Sequence, residues 1–316
     1  MGVLLEGHWR AEGDFPHDRT GHFVRPDAPF RNWVTADGEA GPSGVGGFKA
    51  ERGRYHLIVS LACPWAHRAL IFRKLKRLED MVSLSVVHWL LADRGWTFDE
   101  GRGVIPDPLY GAKALSEFYV RARPDYSGRV TVPVLWDRET GTIVNNESSE
   151  IIRMFNRAFD GVGAAEGDYY PRELRQEIDA LNARIYATVN NGVYRAGFAT
   201  TQTAYEEAFR ALFETLDTLE TRLAGQRFLV GERLTEADWR LFTTLIRFDA
   251  VYFGHFKCNL REIRDYPTLT RYLKELYHWP GVAETVDFFH IKHHYYASHL
   301  RINPTGIVPL GPEMKL

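Results

Sequence analysis

The chain is poor in cysteine: its 316 residues include two, Cys63 and Cys258. Two thiols cannot build a disulfide framework, which excludes a stapled secreted scaffold and points to a reducing compartment, the cytoplasm. An excess of one charge is also missing. Lys and Arg number 39 against 41 Asp and Glu, a net charge of −2, so neither a nucleic-acid nor a membrane partner is expected. No apolar run approaches the roughly 20 residues that span a bilayer. The first residues lack a basic-then-apolar leader, and Glu6 stands where a myristoylation signal has Ser or Thr. What is present is an ordinary globular composition, 45% hydrophobic and 25% charged, at a length that accommodates two domains with separate cores.

Residues 55–72, YHLIVSLACPWAHRALIF, organise the rest. Residues 55–61 form an apolar, β-branched run after Gly53 and read as a buried strand. Ala69, Leu70, Ile71 and Phe72, followed by Arg73, Lys74 and Lys76, read as a helix with a cationic outer face, within 65–80. Cys63-Pro64 makes the corner, and proline suits a first helical turn because its missing N–H has no partner there. A thiol at this junction meets unpaired helix N–H groups and the helix dipole, which favour an anion and lower a thiol pKa. Most free cysteines are small buried hydrophobes instead; the place just before Pro at a helix start weighs toward a reactive one. Cys63-Pro64-Trp65-Ala66 is a C-x-x-C redox pattern with alanine at the second cysteine. Disulfide chemistry at Cys63 must therefore finish with an external thiol, and glutathione is the abundant choice.

Residues 1–50, rich in Gly, Pro, Asp and Arg with scattered aromatics, read as an irregular extension packed on the body. The glycines at 41–47 fit neither a dinucleotide nor a phosphate-loop spacing and read as a flexible connection. Residues 81–91 read as a second strand and 92–128 as a long insertion. Residues 129–136 form a strand interrupted by Pro133, which implies an edge or a cis bond. A returning strand at 142–144 and a helix starting at 145–150 follow. The order βαβ…ββα, with a thiol at the first helix and Val-Pro before the third strand, gives a thioredoxin-like domain over 51–165. The Gly/Ala-rich linker at 160–171 ends it. From 166 to 316 the periodicity is helical, with Leu174, Ile178, Leu181, Ile185 and Val189 on one face. Tyr205, Phe209, Leu212, Leu216, Leu219 and Leu223 share another, stopped by Gly225. Thr235 and Asp238 form a capping box. Later helices fall at about 268–278 and 282–299, before an extended Pro-rich tail.

An α/β thioredoxin-like half followed by an all-α half with that capping box resembles the glutathione transferases. Cys-Pro-Trp-Ala-His-Arg (63–68), Gly-Trp-Thr-Phe (95–98), Thr-Val-Pro-Val-Leu-Trp-Asp (131–137), Asn-Asn-Glu-Ser-Ser-Glu (145–150) and Asn-Pro-Thr-Gly-Ile-Val-Pro (303–309) are similar to those of the glutathionyl-hydroquinone reductases, the xi class. These blocks span nearly the whole chain. The resemblance implies that Cys63 takes the glutathione sulfur from a glutathionyl-hydroquinone and that a second glutathione resolves the mixed disulfide. It implies glutathione as co-substrate, aromatic glutathionyl-hydroquinones as substrates, no metal, and a homodimer. Trp96, Arg129, Val130, Thr131, Val132, Glu147 and Ser148 would bind glutathione. Glu147 can pair with its ammonium, and Ser148 with the helix N–H groups can take its α-carboxylate; otherwise Glu147 is a plain helix-start acid. Tyr194 would be the acid/base residue, with Tyr252 and Tyr295 donating to the Cys63 thiolate, although a buried tyrosine usually only satisfies a core hydrogen bond. The same-scaffold alternative is an omega-like thiol transferase or dehydroascorbate reductase; a non-catalytic binding module is disfavoured by Cys63 with Glu147-Ser148. His290, His293 and His294 lack an accompanying acidic motif, so metal binding is not expected. Cys258, away from any helix start, reads as inert, and Arg68 as structural.

Overall fold

The computed structural model describes residues 2–11, 13 and 15–316; Met1, which enters the reading of the leader and lipidation signal, lies outside them. Two compact units divide the chain: unit 1 holds Met1–Asp14, Asp27–Gly167 and Thr285–His290, and unit 2 holds Phe15–Pro26, Asp168–Glu284 and Ile291–Leu316.

Unit 1 is built on four strands, β3 (Tyr55–Val59), β4 (Val82–Val86), β5 (Val134–Asp137) and β6 (Thr142–Asn145), in the order β4-β3-β5-β6. β3 runs parallel to β4, with Tyr55 opposite Val82 and Val59 opposite Val86, and antiparallel to β5. The second strand is shorter than its apolar run because pairing ends where β3 ends. Pro133 does not make β5 an edge: the strand lies between β3 and β6, Pro133 stands just before it, and the Val132–Pro133 bond is cis. The first residues are not wholly irregular, since β1 (Val3–Leu5) and β2 (His8–Arg10) form a short hairpin.

Helix α1 (Pro64–Leu75) corrects the expected cationic outer face. Arg73 is buried and donates to the Val82 and Glu79 carbonyls; Lys76 is fully buried, donating to Asp160 and to the Gly167 carbonyl. Arg73 and Lys76 serve here as buried ties, because α1 is largely enclosed, while Lys74 stays half-buried and pairs with Glu79. It ends at 75 rather than 80 because Arg77 turns left-handed, at φ 50°. The glycine-rich loop at 41–47 is tied down, with the Trp33 Nε1 donating to Ser43 and the Val45 N–H to Asn32. Helices α2 (Ser116–Ala122), inside the long insertion, and α3 (Ser148–Arg157) complete the unit.

Unit 2 is helical: α4 (Arg175–Ile185), α5 (Gly192–Gly197), α6 (Gln202–Ala224), α7 (Glu236–Arg247), α8 (Phe253–His255) and α9 (Pro267–Tyr277), with most of α10 (Phe288–Ser298). Ile178, Ile185, Val189, Leu212, Leu216, Leu219 and Leu223 are buried, as their spacing predicts, whereas Leu174, Leu181, Tyr205 and Phe209 at the ends and margins of the same faces are half-buried. The Thr235–Asp238 capping box forms, and the Asp238 carboxylate also accepts from Tyr272 and from the Leu229 N–H. Two π-helical turns, Tyr186–Asn190 before α5 and Phe248–Tyr252 after α7, have no sequence signature. Among the described residues no helix is long and apolar enough to cross a membrane.

Candidate active site

Cys63 is the N-cap of α1, with extended backbone (φ −78°, ψ 121°) and Pro64 as the first helical residue. The thiol is partly exposed and free of any disulfide. Its Sγ lies 3.7 Å from the Val132 carbonyl oxygen, the peptide preceding Pro133. A thiol donating to a carbonyl favours the protonated form, yet S–H···O bonds of this length are second-order. The helix start acts with about 0.3–1 kcal/mol in favour of the anion, and up to ~2 when partly buried.

The other residues expected to bind glutathione collect around two backbone turns of unit 1. Tyr119, on α2, joins the turns: its hydroxyl donates to the Thr131 carbonyl at 2.8 Å and accepts from Asn146 Nδ2 at 3.0 Å and the Thr131 N–H at 3.2 Å. Val130 and Val132 are buried on this stretch, and the Arg129 carbonyl accepts from the Tyr126 hydroxyl. Glu147 is the N-cap of α3, its Oε1 accepting from the Ser149 N–H at 2.8 Å. The helix-start role is therefore real, and it engages one carboxylate oxygen. Ser148 opens the helix, and its Oγ lies 3.5 Å from Nη1 of the buried Arg68 on α1. Asn145 accepts from the Glu147 N–H and donates to Glu150, which Arg31 Nε also holds at 2.7 Å. Trp96 is buried, between the bridge of Ala92 with Gly95 and that of Thr97 with Ala114. Sequence reasoning passed over Tyr119 and Arg31, which no motif contains, and gave no role to Glu150, the last residue of the 145–150 block; one buried tyrosine inside a broken insertion carries no signal of its own.

In unit 2 the three expected tyrosines meet. Tyr194 of α5 and Tyr295 of α10 have hydroxyl oxygens 2.5 Å apart, and Tyr252 lies 2.9 Å from Tyr295. Tyr252 ends the second π turn, and Tyr194 follows the first by one helical turn; such turns recur at functional sites. Gly197 permits the packing, because a Cβ there would fall 2.2 Å from the Phe256 ring, which stacks on Tyr252. Burial pushes the Tyr252 and Tyr295 hydroxyls well above the ordinary phenol range, with Arg247 opposing, so both stay protonated at neutral pH.

Cys258 is fully buried, and burial pushes its thiol far up, which leaves it unreactive. His290 Nε2 is 2.5 Å from the Arg102 carbonyl oxygen. Among the described residues no group of three His, Cys, Asp or Glu side chains is arranged to hold a metal.

Residues 62–158 match the family model of the glutathione S-transferase N-terminal domain, and 202–275 that of the C-terminal domain. The fold is that of the glutathione transferases. The chain is 57% identical over 317 residues to the glutathionyl-hydroquinone reductase YqjG of Escherichia coli, covering all of this chain and 97% of that one. It is 55% identical over 316 residues to the glutathionyl-hydroquinone reductase PcpF of Sphingobium chlorophenolicum, covering all of this chain and 98% of that one. The solved glutathione-bound structure of YqjG, a glutathione transferase homolog, matches with a TM-score of 0.93 over 99% of this chain and 96% of that one, at 55% identity. A xi-class transferase from Natrialba magadii matches with a TM-score of 0.90 over 100% of this chain and 94% of that one, at 48% identity. This chain belongs to the glutathionyl-hydroquinone reductases, the xi class of the glutathione transferases.

Proposed function

We propose that this enzyme reduces glutathionyl-hydroquinones with glutathione. Tyr194 donates a proton to the sulfur-bearing ring carbon while the adjacent ring hydroxyl gives its proton to solvent and becomes a ketone. The Cys63 thiolate attacks the glutathione sulfur; the S–S bond forms, the C–S bond breaks, and its electron pair restores the aromatic ring. Protonation of the ring oxygen releases the hydroquinone. A second glutathione thiolate then attacks the mixed disulfide, giving glutathione disulfide and the Cys63 thiolate. Glu147 takes the glutathione ammonium through Oε2, while Ser148 and the first amides of α3 take the carboxylate. Arg129 and the Val130–Val132 backbone hold the peptide groups, and Trp96 lies along them. Tyr252 and Tyr295 have the role of hydrogen-bond donors to the thiolate.

The observation that carries this reading is Cys63 itself: a helix-start thiol beside the Val132 backbone, with Ala66 where a resolving thiol would stand. The tyrosine trio favours the reductase over an omega-like thiol transferase, since exchange between sulfurs needs no proton at carbon. The kinship with the glutathionyl-hydroquinone reductases YqjG and PcpF and the glutathione bound in the YqjG structure support the same substrate pair. The resemblance extends to a cytoplasmic homodimer, which gel filtration with light scattering would check. The decisive assay supplies a glutathionyl-hydroquinone and glutathione and follows both products; hydroquinone and glutathione disulfide should appear in equal amounts. Hydroquinone without the disulfide would refute the scheme.

A further inference from the structure

Tyr194 has a charged neighbour from far away in the sequence. Segment Phe15–Pro26 counts with unit 2 and is fastened to α5 and α6. Phe15 stacks on Phe198 at 3.8 Å, His17 Nε2 lies 2.7 Å from the Phe198 carbonyl oxygen, and the Thr201 hydroxyl donates to the Thr20 carbonyl at 2.8 Å. At the end of this segment Arg25 Nε donates to Asn191 Oδ1 at 2.8 Å. The guanidinium carbon of Arg25 lies 4.7 Å from the centre of the Tyr194 ring and 5.1 Å from that of Phe23. Asn191 is the N-cap of α5, the helix that carries Tyr194. One guanidinium thus holds both the start of the helix and the face of the ring it presents.

Resting on the reading of Tyr194 as proton donor, we propose that Arg25 is a positioning residue for this step: it orients the phenol and offsets the charge left on it when the proton goes to the ring carbon. The O–H bond of Tyr194 breaks and the C–H bond of the substrate forms. The phenolate holds the negative charge until solvent returns a proton. A cation over an aromatic face is attracted by the ring's electron density, and the attraction grows as the ring becomes anionic in a site shielded from water. Among the described contacts, the titratable and charged groups facing Tyr194 include Arg25 on its ring and Tyr295 and Tyr252, with Arg247 acting on the latter two. Burial keeps Tyr252 and Tyr295 neutral, and Arg25 is a cation lying directly on the ring of the donor. An arginine that served only to fasten the segment would leave proton transfer untouched.

The test compares Arg25→Ala and Arg25→Lys in the full enzyme, each also in a Tyr194→Phe background, with a glutathionyl-hydroquinone and a small glutathione mixed disulfide as substrates. Arg25→Ala should lower kcat on the hydroquinone by about tenfold and much less on the disulfide. Its alkaline limb should move to higher pH, because a phenol without its cation holds the proton longer. Arg25→Lys keeps the charge and should return that limb most of the way, and thermal melting of each variant separates folding loss from rate loss. In the Tyr194→Phe background the Arg25→Ala effect on the hydroquinone should vanish. Equal losses on both substrates, or an unmoved alkaline limb, would reduce Arg25 to a fastening and overturn the proposal. Should Tyr194→Phe itself reduce the hydroquinone at the native rate, the donor assignment fails and takes this inference with it; slow Tyr194→Phe with fast Arg25→Ala removes the Arg25 role alone.

Discussion

The thiol region of unit 1 and the hydroxyl region of unit 2 are built by opposite means. Cys63, Val132, Glu147 and Ser148 are placed by backbone: one helix start, the peptide before Pro133, and a second helix start. Tyr194, Tyr252 and Tyr295 are placed by their own side chains, through two hydroxyl–hydroxyl bonds and a packed set of aromatic rings. A backbone device tolerates much substitution around it, because any residue carries the N–H and C=O that do the work. A side-chain device fails with the loss of a single oxygen. The first suits recognition of a fixed tripeptide, and the second suits moving a proton.

The largest effect is expected at the thiol of unit 1 that the proposed reaction uses as nucleophile. Cys63→Ser should lower reduction of both substrate types by on the order of 10³-fold or more, since a neutral hydroxyl is a poor attacker of sulfur. Steady-state rates on each substrate check this, and residual activity on either would call for another nucleophile. A pH titration sharpens the contrast differently. His255 and His299 of unit 2 stack with ring nitrogens 3.1 Å apart, and burial lowers His299 well below the imidazole range and His255 to about 4. A depressed histidine contributes stability that is present above its unfolded pKa of ~6.5 and is lost as pH falls through the folded value, about 3 kcal/mol for His255. Denaturant unfolding followed from pH 7 to 4 should show that loss, with a flatter slope in His255→Asn; an equal slope would mean that His255 is charged in the folded protein.

Smaller effects follow. Glu147→Gln should weaken glutathione binding by about 1.5–3 kcal/mol, the scale of a charge-assisted hydrogen bond. Calorimetric titration measures it, and a melting curve separates the N-cap that Glu147 also supplies; unchanged affinity would remove Glu147 from the ammonium pocket. Cys258→Ser should stay within about twofold of native activity while costing about 1–3 kcal/mol of stability, because a hydroxyl replaces a buried thiol. A large activity loss in a well-folded variant would reveal a second redox group.

Much of unit 1 was legible because its devices are contiguous. Cys63-Pro64 spells a strand, a corner and a helix in one run, and Glu147-Ser148 opens a helix just after a β-branched strand. The fate of α1's charges was not legible, since Arg73 and Lys76 carry the signature of a solvated face while their partners, Val82, Asp160 and Gly167, are supplied by other parts of the chain. Tyr119 was hidden for the same reason, its bonds reaching Thr131 and Asn146 from inside an apparently broken stretch. In unit 2, periodicity predicted the buried faces and the Thr235–Asp238 cap, both local. The trio came only from family resemblance, because three tyrosines on three segments have no spacing to read. The π turns that present them, and Arg25 from a segment more than a hundred residues earlier, depend on packing that no local pattern encodes.

The division of labour between the two regions is tested most directly by Tyr194→Phe assayed on two substrates side by side. The variant keeps the ring and its packing and removes one proton. A glutathionyl-hydroquinone needs that proton at carbon, and general-acid catalysis of this kind is worth about 10²–10⁴-fold. A small glutathione mixed disulfide needs only the thiol region. Hydroquinone reduction should therefore fall by that factor while disulfide reduction falls far less. Equal losses on the two substrates would contradict the account and assign Tyr194 to the thiolate or to glutathione.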